Sequence, residues 1–294
     1  NANNSNWNMS KIWGPKVAGI VDHDKIIHLP TANLVEMYGM ANGLPLDDPQ
    51  SGFDERHPFK NRDPRFYHDI IFDGFHFVLA EDKLSDVQKP YAYCDLSTGA
   101  DMRSADLGSR TGYFFQKFVP HTCNEGDREY DWGSNLHTYL PYMRLADIYL
   151  MYAESCAAFG GASAKSDNCT LTSLDAINKI RTRCGAEGVH SSYIADNKKF
   201  MDEIRRERTV ELYMEGFRYD DLKRWGIAEN ELNESRLGTV VGSSVYPTTF
   251  VDASGNATSK YLRNTYIWGE EQIDTQWGKL NCVVIDGKTN FNFS

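Results

Sequence analysis

The chain has 294 residues, is 41% hydrophobic and 13% aromatic, and carries 31 Lys and Arg against 41 Asp and Glu, for a formal net charge of -10. That is enough apolar material for one large domain or two modest ones. The acidic balance, with no basic run, argues against nucleic acid or an anionic membrane surface as primary partner. No segment approaches the length of a membrane-spanning helix. The opening NANNSNWNMS has neither the basic start nor the apolar core of a signal peptide and no initiating Met, so it reads as a processed chain or an excised piece. The 16 Tyr, 15 Phe and 6 Trp exceed what a core needs, and surplus rings often serve sugar or protein surfaces. Six cysteines (Cys94, Cys123, Cys156, Cys169, Cys184, Cys282) form no close CxxC pair, and their even number permits disulfides without requiring them.

In chain order, Asn1–Ser10 is irregular and Asn-rich, and Trp7 and Trp13 stand out in this region. Each either stacks on a ligand or folds back onto the core. Val17–Val21 and Ile26–Leu29 are short apolar runs suited to strands. Pro30–Met40 starts as a helix capped by Thr31 or Asn33 and closed by Gly39 and Gly43. A turn-rich loop follows, ending in NRDPRF at Asn61–Phe66, where Arg62, Asp63 and Arg65 around Pro64 suit a fixed turn tied by side-chain hydrogen bonds. Phe66–Leu79 alternates loosely around Asp73-Gly74, which predicts a β-hairpin. Ala80–Arg110 is polar and broken, with Tyr91 and Tyr93 notable, and Tyr113–Val119 reads as an aromatic strand ending at Pro120. The long loop His121–Asn135 holds Tyr130 and Trp132 among acidic and Gly residues. Rings beside carboxylates and amides are what a sugar site requires, so Trp7, Trp13, Tyr91, Tyr130 and Trp132 are the aromatic ligand candidates.

Pro141–Phe159 is the strongest helix signal, with Leu145, Ile148, Tyr149, Tyr152, Cys156 and Phe159 forming its expected core face. Leu171–Cys184 predicts a second helix that buries Leu174, Ile177, Ile180 and Cys184 and ends at Gly185. Asp196 or Asn197 caps a third, Lys198–Glu215, and a short amphipathic turn follows before Gly226. Consecutive amphipathic helices with short linkers favour antiparallel packing. On the third helix Glu207, Glu211 and Glu215 are spaced by four and share a face, with Arg205 and Arg208 within a turn of them. Two such carboxylates could form a glycosidase pair. The nearby arginines instead favour ionised carboxylates in a structural ion-pair network of Arg205, Glu207, Arg208, Glu211, Glu215 and Arg218. Glu229–Ser294 is rich in Gly, Ser, Thr and Asn and carries little pattern.

The run ERTVELYMEGFRYDDLKRWG, preceded by RLADIYLMYAE at Arg144–Glu154 and LDAINKIRTRCG at Leu174–Gly185, resembles the SusD/RagB family of glycan-binding proteins of the bacterial outer membrane surface. PTANLVEMYGM followed by NRDPRF is similar to the same family. The resemblance implies a mainly α fold of tetratricopeptide-like antiparallel helices (an α-α superhelix) with loop-rich, partly β insertions. It makes 1–294 a SusD/RagB-type C-terminal domain, with the helical signature at 141–226, a loop-rich ligand-facing region at 40–140 and a tail at 227–294. Earlier helices would belong to an N-terminal half that this chain lacks. It implies a non-catalytic surface lipoprotein that captures oligosaccharide and passes it to a SusC-like TonB-dependent outer-membrane transporter. It implies no cofactor, no metal and no nucleic acid. The lipid-bearing cysteine, the sole membrane anchor, would lie outside this chain. The family's sugar contacts are not part of the helix signature, so none carries over by motif. The tail departs from the family in lacking a Pro-containing segment that leads to a terminal tyrosine. The competing functions are a glycoside hydrolase using Glu207 and Glu211, and a transporter-binding scaffold without sugar affinity.

Overall fold

The structure, a computed structural model, describes residues 28–54, 58–76, 84–86, 94–96, 101–103, 108–118 and 141–229, together with the backbone of four strands at 239–241, 261–263, 270–275 and 278–283. Its elements in order are α1 (Ala32–Met37), α2 (Phe66–Asp69), β1 (Ile70–Ile71), β2 (Phe114–Phe115), α3 (Leu145–Gly160), α4 (Ser173–Cys184), α5 (Ser191–Ile194), α6 (Asn197–Glu211), α7 (Arg218–Arg224), β3 (Thr239–Val241), β4 (Tyr261–Arg263), β5 (Glu270–Thr275) and β6 (Gly278–Val283). The described chain is predominantly helical, and its strands form three two-stranded sheets: β1–β2 and β5–β6 antiparallel, β3–β4 parallel. None of its helices is long and apolar enough to cross a membrane.

Local chemistry sets the helix ends. Thr172 and Asp175 form a reciprocal capping box at the start of α4, and Gly185, at φ 80°, closes it in the left-handed conformation. The Asp196 side chain accepts from the amides of Lys198 and Lys199 to start α6. The third helix stops at Glu211, four residues short of the expected Glu215. Met214 (φ 60°) and Gly216 (φ 89°) then turn the chain into α7. The good helix formers between Glu211 and Gly216 are overridden by the tertiary partners of Glu215, described below.

The three long helices pack through small residues. Ala153 and Ala157 of α3 meet Ala176 and Ile177 of α4 and Phe200 and Ile204 of α6, while Leu150 and Ala146 meet Ile180 and Leu212. The order of these contacts makes α3 antiparallel to both α4 and α6. The expected core face of the first helix is therefore corrected: Leu145 (64% exposed), Ile148 (43%) and Phe159 (89%) face outward. The buried stripe is Ala146, Asp147, Leu150, Ala153, Cys156 and Ala157, because two neighbouring helices approach α3 closely only over small side chains.

A second core gathers α1, α2, β1, β2 and the loop residues Leu84, Cys94, Leu96 and Met102 around stacked rings, with Phe72 centred 4.6 Å from Phe59 and 5.0 Å from Phe66. Val210 and Tyr213, at the end of α6, enter this core and join it to the helices. The expected hairpin at Phe66–Leu79 is not what forms. Phe66–Asp69 is helical, and Ile70–Ile71 pairs with Phe114–Phe115. Asp73-Gly74 does turn, with the Phe75 amide donating to the Phe72 carbonyl, but the chain beyond it hydrogen-bonds to Cys94. Phe114 and Phe115, themselves buried, cover Ile70 and Ile71, which are fully buried. The expected strand at Tyr113–Val119 shortens to two residues, and Phe118 takes φ 62°.

Candidate functional site

The residues of NRDPRF lock the loop that precedes α2. Asp63 accepts from the Arg65 amide (2.9 Å) and from Nε and Nη2 of the same arginine (3.0 and 2.7 Å). The buried Arg62 guanidinium donates to the carbonyls of Pro58 (2.9 Å), Val35 (2.9 Å) and Tyr38 (2.6 Å) and lies over the Phe66 ring. Val35 and Tyr38 lie at the end of α1, where carbonyls have no helical donor, so Arg62 acts as its C-terminal cap. Gly39 is needed beside it: a Cβ there would stand 2.4 Å from the Leu44 carbonyl oxygen.

Arg65 then reaches α6, donating to Glu207 (2.5 Å) and Glu211 (3.0 Å). Arg181 of α4 donates to the other Glu207 oxygen (2.9 Å) and to Glu203 (2.8 Å). Arg206 also holds Glu203 (2.6 Å) and the Gly43 carbonyl (2.8 Å). Glu211 further accepts from Arg144 and from Arg183 (2.5 Å), while Glu215 accepts from Arg144 (2.7 Å) and Lys117 (2.8 Å). On the opposite side of α6, Arg208 bridges Asp147 (2.5 Å) and Asp221 (2.8 Å). Arg224 links Asp221 to Glu154. Two networks of charge thus meet on α6: one ties it to the Arg62–Arg65 turn, Arg144, α4 and the segment after β2, and the other ties it to α3 and α7.

The partners differ from the local pairs expected. No ion pair joins Arg205, Arg208 or Arg218 to Glu207, Glu211 or Glu215 among the described residues. Arg205 pairs with Asp202 (3.3 Å) at the surface, and Arg218 donates to the Thr209 hydroxyl (2.7 Å). The cations that hold the three glutamates come from Arg65, Lys117, Arg144, Arg181 and Arg183, as many as 146 residues away. A lone sequence gives one signal for them: Arg181 occupies the apolar pattern of α4, where a charge needs a partner.

Burial alone would raise the Glu207 carboxyl, but the Arg65 and Arg181 guanidiniums overcome it and hold the group at about 2. Glu203 and Glu211 are likewise lowered by arginines against the effect of burial. A general acid must carry its proton near the working pH. Glu207 and Glu211 are ionised, buried and saturated with donors, the opposite of what a glycosidase acid needs. Asp69 behaves differently. Burial raises it to about 6 against Lys117, the Tyr38 hydroxyl (2.7 Å) and Arg65.

A cavity of about 410 Å³ opens at the corner between α6 and α7. Leu29, Leu34, Phe115, Leu212, Phe217 and Tyr219 make its apolar wall, with Thr209 and Arg218 among its polar groups. Its wall comes from three distant parts of the chain, so sequence spacing gives no sign of it. The aromatic candidates Trp7, Trp13, Tyr91, Tyr130 and Trp132 lie outside the described residues. Among the described residues no group of three or more His, Cys, Asp or Glu could hold a metal ion.

A family model described as the SusD family matches residues 6–269. Among solved structures, a SusD-like protein from Bacteroides fragilis NCTC 9343 is similar at 26% identity with a TM-score of 0.53, over 73% of this chain and 39% of that one. A SusD-like carbohydrate binding protein from the same organism aligns at 28% identity with a TM-score of 0.48, over 80% of this chain and 44% of that one. This chain therefore spans about two-fifths of the length of these solved chains. Comparison with curated proteins gives no match.

Proposed function

We propose, from the premise that this chain belongs to the SusD family, that it is part of a non-catalytic oligosaccharide-binding protein of the bacterial cell surface. The observation that carries this reading is the state of the signature helix. Its carboxylates are spent in buried ion pairs, so the signature is framework rather than chemistry. The framework grips the Arg62–Arg65 turn and the Lys117 segment, both within the loop-rich region at 40–140. That region is the proposed ligand-facing part, and Tyr91, Tyr130 and Trp132, together with Trp7 and Trp13 from outside it, are the proposed sugar-stacking rings. In this reading α3, α4 and α6 are the last tetratricopeptide-like helices of an α-α superhelix. The bound glycan passes to a SusC-like TonB-dependent transporter, and a lipid anchors the protein to the outer membrane.

A glycan array, followed by calorimetry on each hit, tests the reading with the full-length protein. Binding of an oligosaccharide that Trp132→Ala weakens at least about tenfold supports it, since a stacked ring contributes on the order of 1 kcal/mol or more. Absence of binding across the array would overturn it. One observation favours a second role. Tyr142, Met143, Leu145, Ile148 and Met151 present exposed apolar surface on and before α3, which suits a protein contact. Transporter binding without glycan affinity would select a pure scaffold.

A further inference from the structure

The loop between α3 and α4, residues 161–172, folds over the hydroxyl of Tyr152. That hydroxyl accepts from the Ser166 amide (3.0 Å) and donates to the Leu171 carbonyl (2.7 Å). Cys169 lies between these two anchors, its amide donating to the Ser166 carbonyl (3.2 Å). Cys156 lies one helical turn beyond Tyr152 on the same face of α3. Cys156 from the helix and Cys169 from the loop thus both neighbour the Tyr152 hydroxyl. We propose that Cys156 and Cys169 are a redox modification site, two adjacent thiols that close to a disulfide tying the loop to the last turns of α3.

The surroundings agree with this assignment. The Ser166 amide lowers the Tyr152 pKa, but partial loss of water and the Cys169 and Cys156 thiols raise it by more, so the net shift is upward. All four described cysteines are free thiols in the structure. Cys94 is buried in the aromatic core, and Cys184 donates to the Arg181 carbonyl at the end of α4. Cys169 is the more exposed of the pair and Cys156 is buried, an arrangement that makes Cys169 the attacking group. The oxidant is a low-molecular-weight or protein disulfide, XS–SX. The Cys169 thiolate attacks one sulfur and releases XS⁻. The Cys156 thiolate then attacks Cys169 Sγ in the mixed disulfide and releases the second XS⁻. Two electrons and two protons leave the pair, and the oxidant becomes two XSH. The inference rests on the loop geometry and is independent of the glycan reading.

The test incubates the folded chain with oxidised glutathione, quenches it with acid, alkylates it in guanidine and digests it with trypsin. Cleavage at Arg144, Lys165 and Lys179 puts the two cysteines on separate peptides, Leu145–Lys165 and Ser166–Lys179. The expected product is those two peptides joined and unalkylated, with a rise in Tm on the order of 5 °C for the oxidised chain. Cys169→Ser should fold normally, lose the linked product and show no oxidative rise in Tm. Separate alkylated peptides after oxidation would overturn the proposal. So would a link that forms only after unfolding, or one that joins Cys156 to another cysteine.

Discussion

The two halves of α6 differ in the balance of apolar packing and charge, with the ion-paired Glu203 the one buried carboxylate of the first half. Its N-terminal half enters the α3–α4 groove through Phe200 and Ile204, both fully buried among alanines and Ile177. Its C-terminal half buries Glu207, Arg208 and Glu211, and its two glutamates are held by four arginines from three other parts of the chain. Apolar packing is non-directional and accepts side chains of similar volume. A buried carboxylate between two guanidiniums accepts one geometry and one charge state. The comparison explains why the motif is long and charged. The apolar half sets the helix against its neighbours, and the charged half selects which loop docks on it and in what register.

Removal of a single charge should give the largest effect. Glu207→Gln keeps the shape but leaves Arg65 and Arg181 without their shared anion, and should cost about 3–5 kcal/mol in urea unfolding. The volume-conserving control in the other half, Ile204→Leu, should cost less than about 1.5 kcal/mol. Equal losses in the two variants would erase the distinction. Glu211→Ala, which frees Arg65, Arg144 and Arg183, should also destabilise by about 3 kcal/mol, while leaving any glycan affinity of the folded protein unchanged.

Acidity separates the halves further. Glu207 has a folded pKa of about 2, below its unfolded value of about 4.3. Its contribution is present above the unfolded value and is lost as pH falls from about 5 towards 2. Asp69 has the opposite sign. With a folded pKa raised to about 6, it lowers stability as pH rises from about 4 through 6. Asp69→Asn should therefore raise Tm relative to wild type more at pH 7.5 than at pH 4.5, and an equal difference at both values would contradict the assignment. The smallest effect belongs to the surface pair. Arg205→Ala loses only the Asp202 contact and its position over Trp225, for about 1 kcal/mol or less.

Much of the frame is legible in the sequence because local signals write it. The Thr172–Asp175 box, Gly185, the Asp196 cap and the turn at Asp73-Gly74 all act within four residues. The errors arise where distant parts decide. Leu145, Ile148 and Phe159 look like a core face because they are bulky and apolar, whereas close helix approach selects Ala146, Ala153 and Ala157. Phe114–Phe115 takes Ile70–Ile71 from the predicted hairpin, a pairing across about 45 residues that no local pattern encodes. The charged face of α6 is visible as Glu207, Glu211 and Glu215, but its cations arrive from Arg65, Arg144 and Arg181, and helical spacing points instead to Arg205 and Arg208. The cavity at the α6–α7 corner is invisible for the same reason, since residues 29–34, 115 and 208–221 meet only in the fold.

The buried charges around Glu207 and Glu211 act as one structural unit. A double-mutant cycle between Arg181 and Glu207, which meet at 2.9 Å with both side chains buried, tests it most directly. Urea unfolding of wild type, Arg181→Met, Glu207→Gln and the double variant gives the coupling energy. Such a unit requires each single variant to be strongly destabilised and the double variant to lose clearly less than their sum, with a coupling of at least about 1.5 kcal/mol. Additive losses would mean that the two residues act separately, and the account of the signature as an interlocked framework would fail.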